Sequence, residues 1–171
     1  PGGAAVSVAL AYPNTYHVGM SNLGVHQLYA ILNRRNDTAC ERVFLPDEED
    51  LAAYREHGEP LAALESRRPV RDFDILAFSV SFEQDYLNVV EMLRLADIPP
   101  RSRERTRAHP LLVLGGICTF FNPEPLAGLF DVVVVGEGEE VADELIDAFR
   151  AGAGKDRQER LVLLSRVPGV Y

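Results

Sequence analysis

Cysteine is scarce in this chain. Cys40 and Cys118 are the two it has in 171 residues, too few for a disulfide framework, and a reducing cytoplasm is the compartment this usage suits. Closely spaced Cys and His ligands are also missing, which speaks against a metal site. No apolar run approaches the roughly 18 residues of a membrane span. Basic residues are outnumbered, 17 Lys and Arg against 26 Asp and Glu, and the net charge is −9. No nucleic-acid-binding face is expected from that balance, because neutralising phosphates takes clustered cations. The opening Pro1-Gly2-Gly3-Ala4-Ala5 has no basic segment and reads against a signal peptide. A start at Pro1 and a stop at Tyr171 read as a piece of something longer. Asn36-Asp37-Thr38 fits a glycosylation acceptor, an accidental match without export.

Several nucleotide and catalytic signatures are absent too. There is no G-x-G-x-x-G after the first apolar run and no G-x-x-x-x-G-K-[ST]. There is no G-x-S-x-G nucleophile elbow. Tyr12-Pro13-Asn14 is a poor flavodoxin phosphate loop, and Ser79-Val80 stands where a response-regulator receiver needs its aspartate.

What is present is an alternation of short apolar runs with helical patterns. Hydrophobic residues make up 47% and charged residues 25%, an ordinary globular balance, and the length suffices for one domain with a core. Five β-rich runs are expected: Val6–Ala11, Glu41–Leu45, Ile75–Val80, Leu111–Leu114 and Val132–Val135. Helical spacing appears between them, at Val25, Leu28, Tyr29 and Leu32, at Tyr86, Val89, Val90 and Leu93, and at Val141, Leu145 and Phe149. Such alternation predicts a doubly wound five-stranded parallel sheet, flavodoxin-like or Rossmann-like, in the order 2-1-3-4-5.

Finer expectations follow. Ser21 is placed as the cap of the first helix. The second strand, short and polar, is placed at an edge. Asp47-Glu48-Glu49 opens a helix with Leu51 and Tyr54 inward. A helical turn is expected near Leu61–Leu64, and Arg101–Arg107 reads as a solvated loop rather than a phosphate patch. Gly152 is placed as a helix-ending glycine, and one more helix is expected over about Arg157–Ser165.

In an open parallel sheet, ligands bind at the loops beyond the carboxyl ends of the strands. The candidate site is therefore the set of those loops. After the first strand come Asn14, Thr15, Tyr16, His17, Gly19, Ser21 and Asn22. After the third come Ser79, Ser81, Phe82 and Glu83; after the fourth, Gly115, Gly116, Cys118 and Thr119; after the fifth, Gly136, Glu137, Gly138 and Glu139. Each also has a plain structural reading. The Gly pairs can be turns, Ser79 and Ser81 can be helix caps, and His17 can be a surface histidine.

The same loops carry a resemblance. Asn14-Thr15-Tyr16-His17-Val18-Gly19-Met20-Ser21-Asn22-Leu23-Gly24, Phe78-Ser79-Val80-Ser81-Phe82-Glu83, Leu114-Gly115-Gly116, Asn122-Pro123-Glu124-Pro125, Val135-Gly136-Glu137-Gly138-Glu139 and Pro168-Gly169-Val170-Tyr171 resemble, in order, the N-terminal cobalamin-binding-like domain of a group of radical-SAM proteins. The resemblance implies a parent protein that cleaves S-adenosylmethionine at a [4Fe–4S] cluster held by C-x₃-C-x₂-C. This chain has no such triad, so the radical chemistry belongs to a radical-SAM domain outside it, which is the implied partner. Residues 1–156 are then the cobalamin-binding-like domain, and 157–171 a helix and linker. The implied cofactor is cobalamin, with the corrin over the strand ends and its nucleotide tail between sheet and helices. His17 is the implied cobalt ligand, although the D-x-H-x-x-G of cobalamin mutases lacks its Asp here and has Gly19 one place early. The rival reading is a degenerate Rossmann-like scaffold without cobalamin, its corrin space filled by Tyr16, Phe82, Phe120 and Phe121. The substrate is not legible.

Overall fold

The computed structural model describes residues 6–171; the opening five residues, read above against a signal peptide, lie outside them. The apolar runs pair as strands β1 (Val6–Tyr12), β2 (Thr38–Phe44), β3 (Ile75–Ser79), β4 (Leu111–Gly115) and β5 (Val132–Val133). All pair in parallel, in the order β2-β1-β3-β4-β5, as expected for near-continuous apolar strands buried on both faces. Between them lie helices α1 (Tyr16–Gly19), α2 (Leu23–Arg34), α3 (Glu48–His57), α4 (Tyr86–Leu95), α5 (Cys118–Phe121) and α6 (Glu124–Ala127), and after β5 come α7 (Gly138–Ala151) and α8 (Arg157–Leu164). None of the described helices is long and apolar enough to cross a membrane.

The period-two alternation of side chains along each strand divides the core. Val8, Leu10, Ile75 and Val113 face α2, α7 and α8, meeting Val25, Leu32, Leu145, Phe149 and Leu164. Ala9, Ala11, Leu76, Phe78, Leu112 and Leu114 face the opposite layer, where Val89 and Leu93 of α4 pack.

Several local expectations are corrected. Asn22, not Ser21, caps α2: its Oδ1 accepts from the Val25 amide at 3.1 Å. The Ser21 hydroxyl instead donates to the His17 carbonyl at 2.8 Å, closing the short α1 that the sequence reading took for loop. Ser79 and Ser81 do not cap α4, which Asp85 precedes as N-cap. Strand β2 is at the edge, but with seven residues it is no shorter than β1. No helical turn forms at Leu61–Leu64. That stretch folds back on itself through an Ala62–Pro69 bridge and covers the β2 edge, the Leu64 amide donating to the Arg42 carbonyl at 2.8 Å. The Arg42 amide and guanidinium both donate to Glu65. An uncovered edge presents unpaired backbone groups; this segment supplies their partners. Gly152 follows α7 but keeps φ at −84°, so it is not a left-handed stop. It is needed for closeness: a Cβ there would sit 2.9 Å from Cγ of Arg160 on α8.

Strand β5 is two residues long, and its outer edge is closed by the end of the chain. Val134 bridges Val170 antiparallel, and Val133 and Tyr171 exchange both backbone hydrogen bonds at 2.8 Å.

One buried ion cluster ties this end of the sheet together, and it overturns the expectation of a wholly solvated loop at Arg101–Arg107. The Arg105 side chain is fully buried, and its guanidinium pairs at 3.0 Å with Asp131, itself 2% exposed. It also donates to the carbonyls of Pro99, Pro100 and Leu129. The second Asp131 oxygen accepts from Arg157 of α8 at 2.6 Å and from the Leu112 amide of β4 at 2.8 Å. Removing one member strands the others as buried charges. Asp131→Ala is expected to lower stability by about 3–5 kcal/mol. Arg71→Ala, which breaks an exposed pair with Asp97, is expected to cost under about 1 kcal/mol. Urea denaturation of both variants checks the contrast.

Candidate functional site

The sheet order reverses between β1 and β3, and at that switch point a cavity of about 320 Å³ opens beneath α2 and α7. Its floor is apolar: Val8, Leu10, Ala77 and Val113 from the strands, Leu28 and Leu32 from α2, Val141 and Leu145 from α7. Small residues keep it open. Ala77 leaves space at mid-sheet, and Gly138 lets α7 begin against Leu28, whose Cδ2 would lie 3.2 Å from a Cβ there. The mouth carries the polar groups. Asn22, Ser79, Ser81, Gly115, Gly116, Gly136, Glu137, Gly138 and Glu139 all line this cavity, so residues from four strand-end loops converge as expected. The Asn22 amide donates to the Ser81 hydroxyl at 3.2 Å across the rim. Leu23, Phe82, Ile117, Phe120 and Phe121 stand exposed at these strand ends.

Gly116 is required by both conformation and space. Its φ is +104°, and a Cβ would lie 2.5 Å from the Val80 carbonyl oxygen. That close approach brings the β4 loop against the end of β3, and the Thr119 hydroxyl secures it by donating to the carbonyls of Gly116 and Val134 at 2.9 and 2.8 Å. Thr119 and Cys118 are buried behind the rim. Burial raises the Cys118 thiol above its usual range, which keeps it protonated and poorly nucleophilic.

The rest of the first loop goes elsewhere. Thr15, Tyr16 and His17 line a different cleft, of about 460 Å³, with Phe44, Asp47 and Tyr54. The His17 imidazole is exposed and meets the Tyr16 ring edge-on at 5.7 Å. Gly19 is pinned under Phe44, whose ring would overlap any Cβ. Glu83 is exposed in a 3₁₀ turn. Among the described residues no group of three or more His, Cys, Asp or Glu converges to hold a metal.

Asn14 has a partner that the sequence reading missed. Its amide donates to Oδ1 of Asp85 at 2.9 Å, and Asn88 donates to the same oxygen at 3.3 Å and to the Pro13 carbonyl at 2.9 Å. Asp85 is buried, and its Oδ2 has no partner among the described residues. Burial pushes its carboxyl above the ordinary aspartate value, and the two amide donors pull it partly back. This cluster clamps the β1 loop to the start of α4. The available signal was an Asp directly before a helical run, which reads first as a dipole-favoured carboxylate.

A doubly wound α/β domain with an apolar cavity at its switch point is a small-molecule-binding architecture. The sequence places this one: residues 24–171 match the family of radical SAM proteins, N-terminal, and the chain belongs to that family as an accessory domain of a radical-SAM protein. It is similar to an uncharacterized protein of Methanocaldococcus jannaschii, 27% identical over 133 residues, covering 78% of this chain and 24% of that protein. The chain thus spans about a quarter of the relative's length. No solved structure matches it.

Two outcomes test the geometry. Gly116→Ala is expected to cost about 3 kcal/mol or more, from positive φ together with backbone overlap, measured by chemical denaturation. For Asp85, a raised folded-state pKa means the fold favours the protonated form. Its contribution is complete below the unfolded value of about 3.9 and is lost as pH rises toward the folded value. Asp85→Asn keeps the amide acceptor and never ionises. The difference in melting temperature, variant minus parent, is therefore expected to grow from acid toward neutral pH.

Proposed function

We propose that this domain holds the nucleotide tail of cobalamin in the switch-point cavity and presents the corrin to a radical-SAM domain of its parent protein. The observation that carries the reading is the apolar cavity of about 320 Å³ between α2, α7 and the sheet, open at the strand ends. A neutral, flat benzimidazole suits a floor of Leu, Val and Ala. Ser79, Ser81 and Asn22 offer hydroxyl and amide groups to the ribose and phosphate at the mouth. Glu137 and Glu139 are acceptors suited to the amide side chains of a corrin, and Gly136, with φ at +141° and no atom within 4 Å of where a Cβ would stand, lets backbone approach the ring.

When bound, cobalamin would supply methyl transfer or another difficult C–H modification, with the [4Fe–4S] cluster and S-adenosylmethionine held by the neighbouring domain. This chain would supply binding and orientation. Ligation of cobalt by His17 has loop order alone in its support. The imidazole lies in the neighbouring cleft, and no described residue bonds it, whereas metal-bound histidines have an orienting partner.

A scaffold reading draws on a different observation. Ile117 and Phe120 line the same mouth, and Phe82 and Phe121 also stand exposed at the strand ends, apolar groups available to meet the neighbouring domain directly. Titration with hydroxocobalamin separates the two. Cobalamin binding predicts a shift of the visible spectrum, retention of the colour on a desalting column, and loss of both in Ser81→Trp, which plugs the mouth. An unshifted spectrum with no retained colour would overturn it in favour of the scaffold.

A further inference from the structure

The amino ends of the strands, opposite the switch-point cavity, hold a cavity of about 370 Å³ with a different chemistry. It is walled by the segments entering β3 and β4 and by the turn joining α7 to α8. In a chain of net charge −9, this cavity gathers Arg71, Arg107, Arg157, Arg160 and Lys155, the chain's single lysine. Asp72 and Asp74 are its carboxylates and His109 its further titratable group.

Those groups are unequally committed. Arg157 is a strut, its charge met by Asp131 and its other donors by the carbonyls of Thr106, His109 and Pro110. Asp74 is occupied by Ser7, whose amide and hydroxyl donate to Oδ2 at 2.8 and 2.7 Å. Arg71 meets Asp97, which is 83% exposed. Arg107 donates to the carbonyls of Gly154 and Lys155 and meets no carboxylate among the described residues. The Arg160 guanidinium lies over the Phe149 ring, its central carbon 4.4 Å from the centroid. Its buried Nε has no described partner, and its one bond is to the Gly152 carbonyl at 3.4 Å. Lys155 Nζ has no described partner. Burial is the main influence against the charge on Arg160; Asp74 supports that charge, and Arg107 and Arg157 oppose it.

Arg107 and Arg160 thus meet backbone carbonyls and a ring rather than a bonded carboxylate, Lys155 meets no described partner, and Arg71 shares only the exposed Asp97. Such an arrangement gains when an anion enters, since planar guanidinium donors and an ammonium match phosphoryl oxygens. The volume falls in the range of small-ligand pockets. We propose that this cavity is a binding site for a small diphosphate-bearing ligand, held by Arg71, Arg107, Lys155 and Arg160. It is independent of the cobalamin reading, because it lies at the other end of the sheet and shares no lining residue with that cavity.

Isothermal titration of the chain with inorganic pyrophosphate and, separately, with ADP tests it. Binding at low ionic strength that weakens as salt is added is the expected result for at least one probe. Equal affinities assign the site to the diphosphate alone, and tighter ADP assigns it to a nucleotide. Lys155→Gln combined with Arg71→Gln alters two exposed side chains, and Arg160→Met removes the guanidinium while leaving an unbranched side chain beside Phe149. Each is expected to weaken binding by at least about tenfold, the loss of a charge-assisted contact, with the melting temperature of the double variant unchanged. No binding of either probe at millimolar concentration, or equal affinity in the folded double variant, would overturn the proposal.

Discussion

The carboxyl-terminal third of this fold hangs on Asp131. It stands one residue before β5, and its amide donates to the Leu112 carbonyl at 3.0 Å while its carboxylate accepts from the Leu112 amide. Those bonds seat a two-residue strand beside β4 that could hardly hold its own place. The other interactions of the carboxylate radiate from there. Arg105 brings in the 99–105 loop, and Arg157 anchors the first residue of α8. With α8 placed, the chain returns along β5 and closes the edge. Ion clusters of this kind offset a large desolvation cost only when every lone pair is met. Here both Asp131 oxygens are, and the one orphan is Arg105 Nε.

That anchoring bears on the candidate site. Helix α7 leaves β5 and forms one wall of the switch-point cavity, so the wall is only as well placed as the strand. The opposite wall, α2, is set by the Asn22 cap, and the same Asn22 side chain reaches Ser81. Cap and site share one residue, which couples the helix start to the β3 loop. Gly116 does the same for β3 and β4. An apolar space at the switch point forgoes packing contacts, and the small Ala77 and Gly138 keep it open.

Much of this was legible in the chain. The parallel sheet, its order and the inward faces of α2, α4 and α7 followed from apolar runs and helical periodicity, because a sheet covered on both sides leaves strands little choice of composition. Convergence of Ser79, Ser81, Gly115, Gly116 and the 136–139 loop followed from the rule that strand ends meet. The errors were local or long-range. Ser21 and Asn22 are both good caps, and only the backbone path chose between them. Arg105 looked solvated because its partner lies 26 residues away. Leu61–Leu64 looked like a helical turn because nothing local marks a segment as cover for an edge strand. The first loop looked like one of four loops sharing a single site, yet α1 and the Asn14–Asp85 clamp turn Thr15, Tyr16 and His17 into a different cleft.

By itself, then, the amino-acid pattern determined the architecture, since apolar runs alternating with helical periods call for a parallel sheet covered on both faces. Tertiary structure alone decided which loop residues share a cavity, which arginines are buried struts, and that Arg71, Arg107, Lys155 and Arg160 meet at the opposite end. Those outcomes depend on contacts between residues far apart in the chain, and short-range patterns carry no record of them.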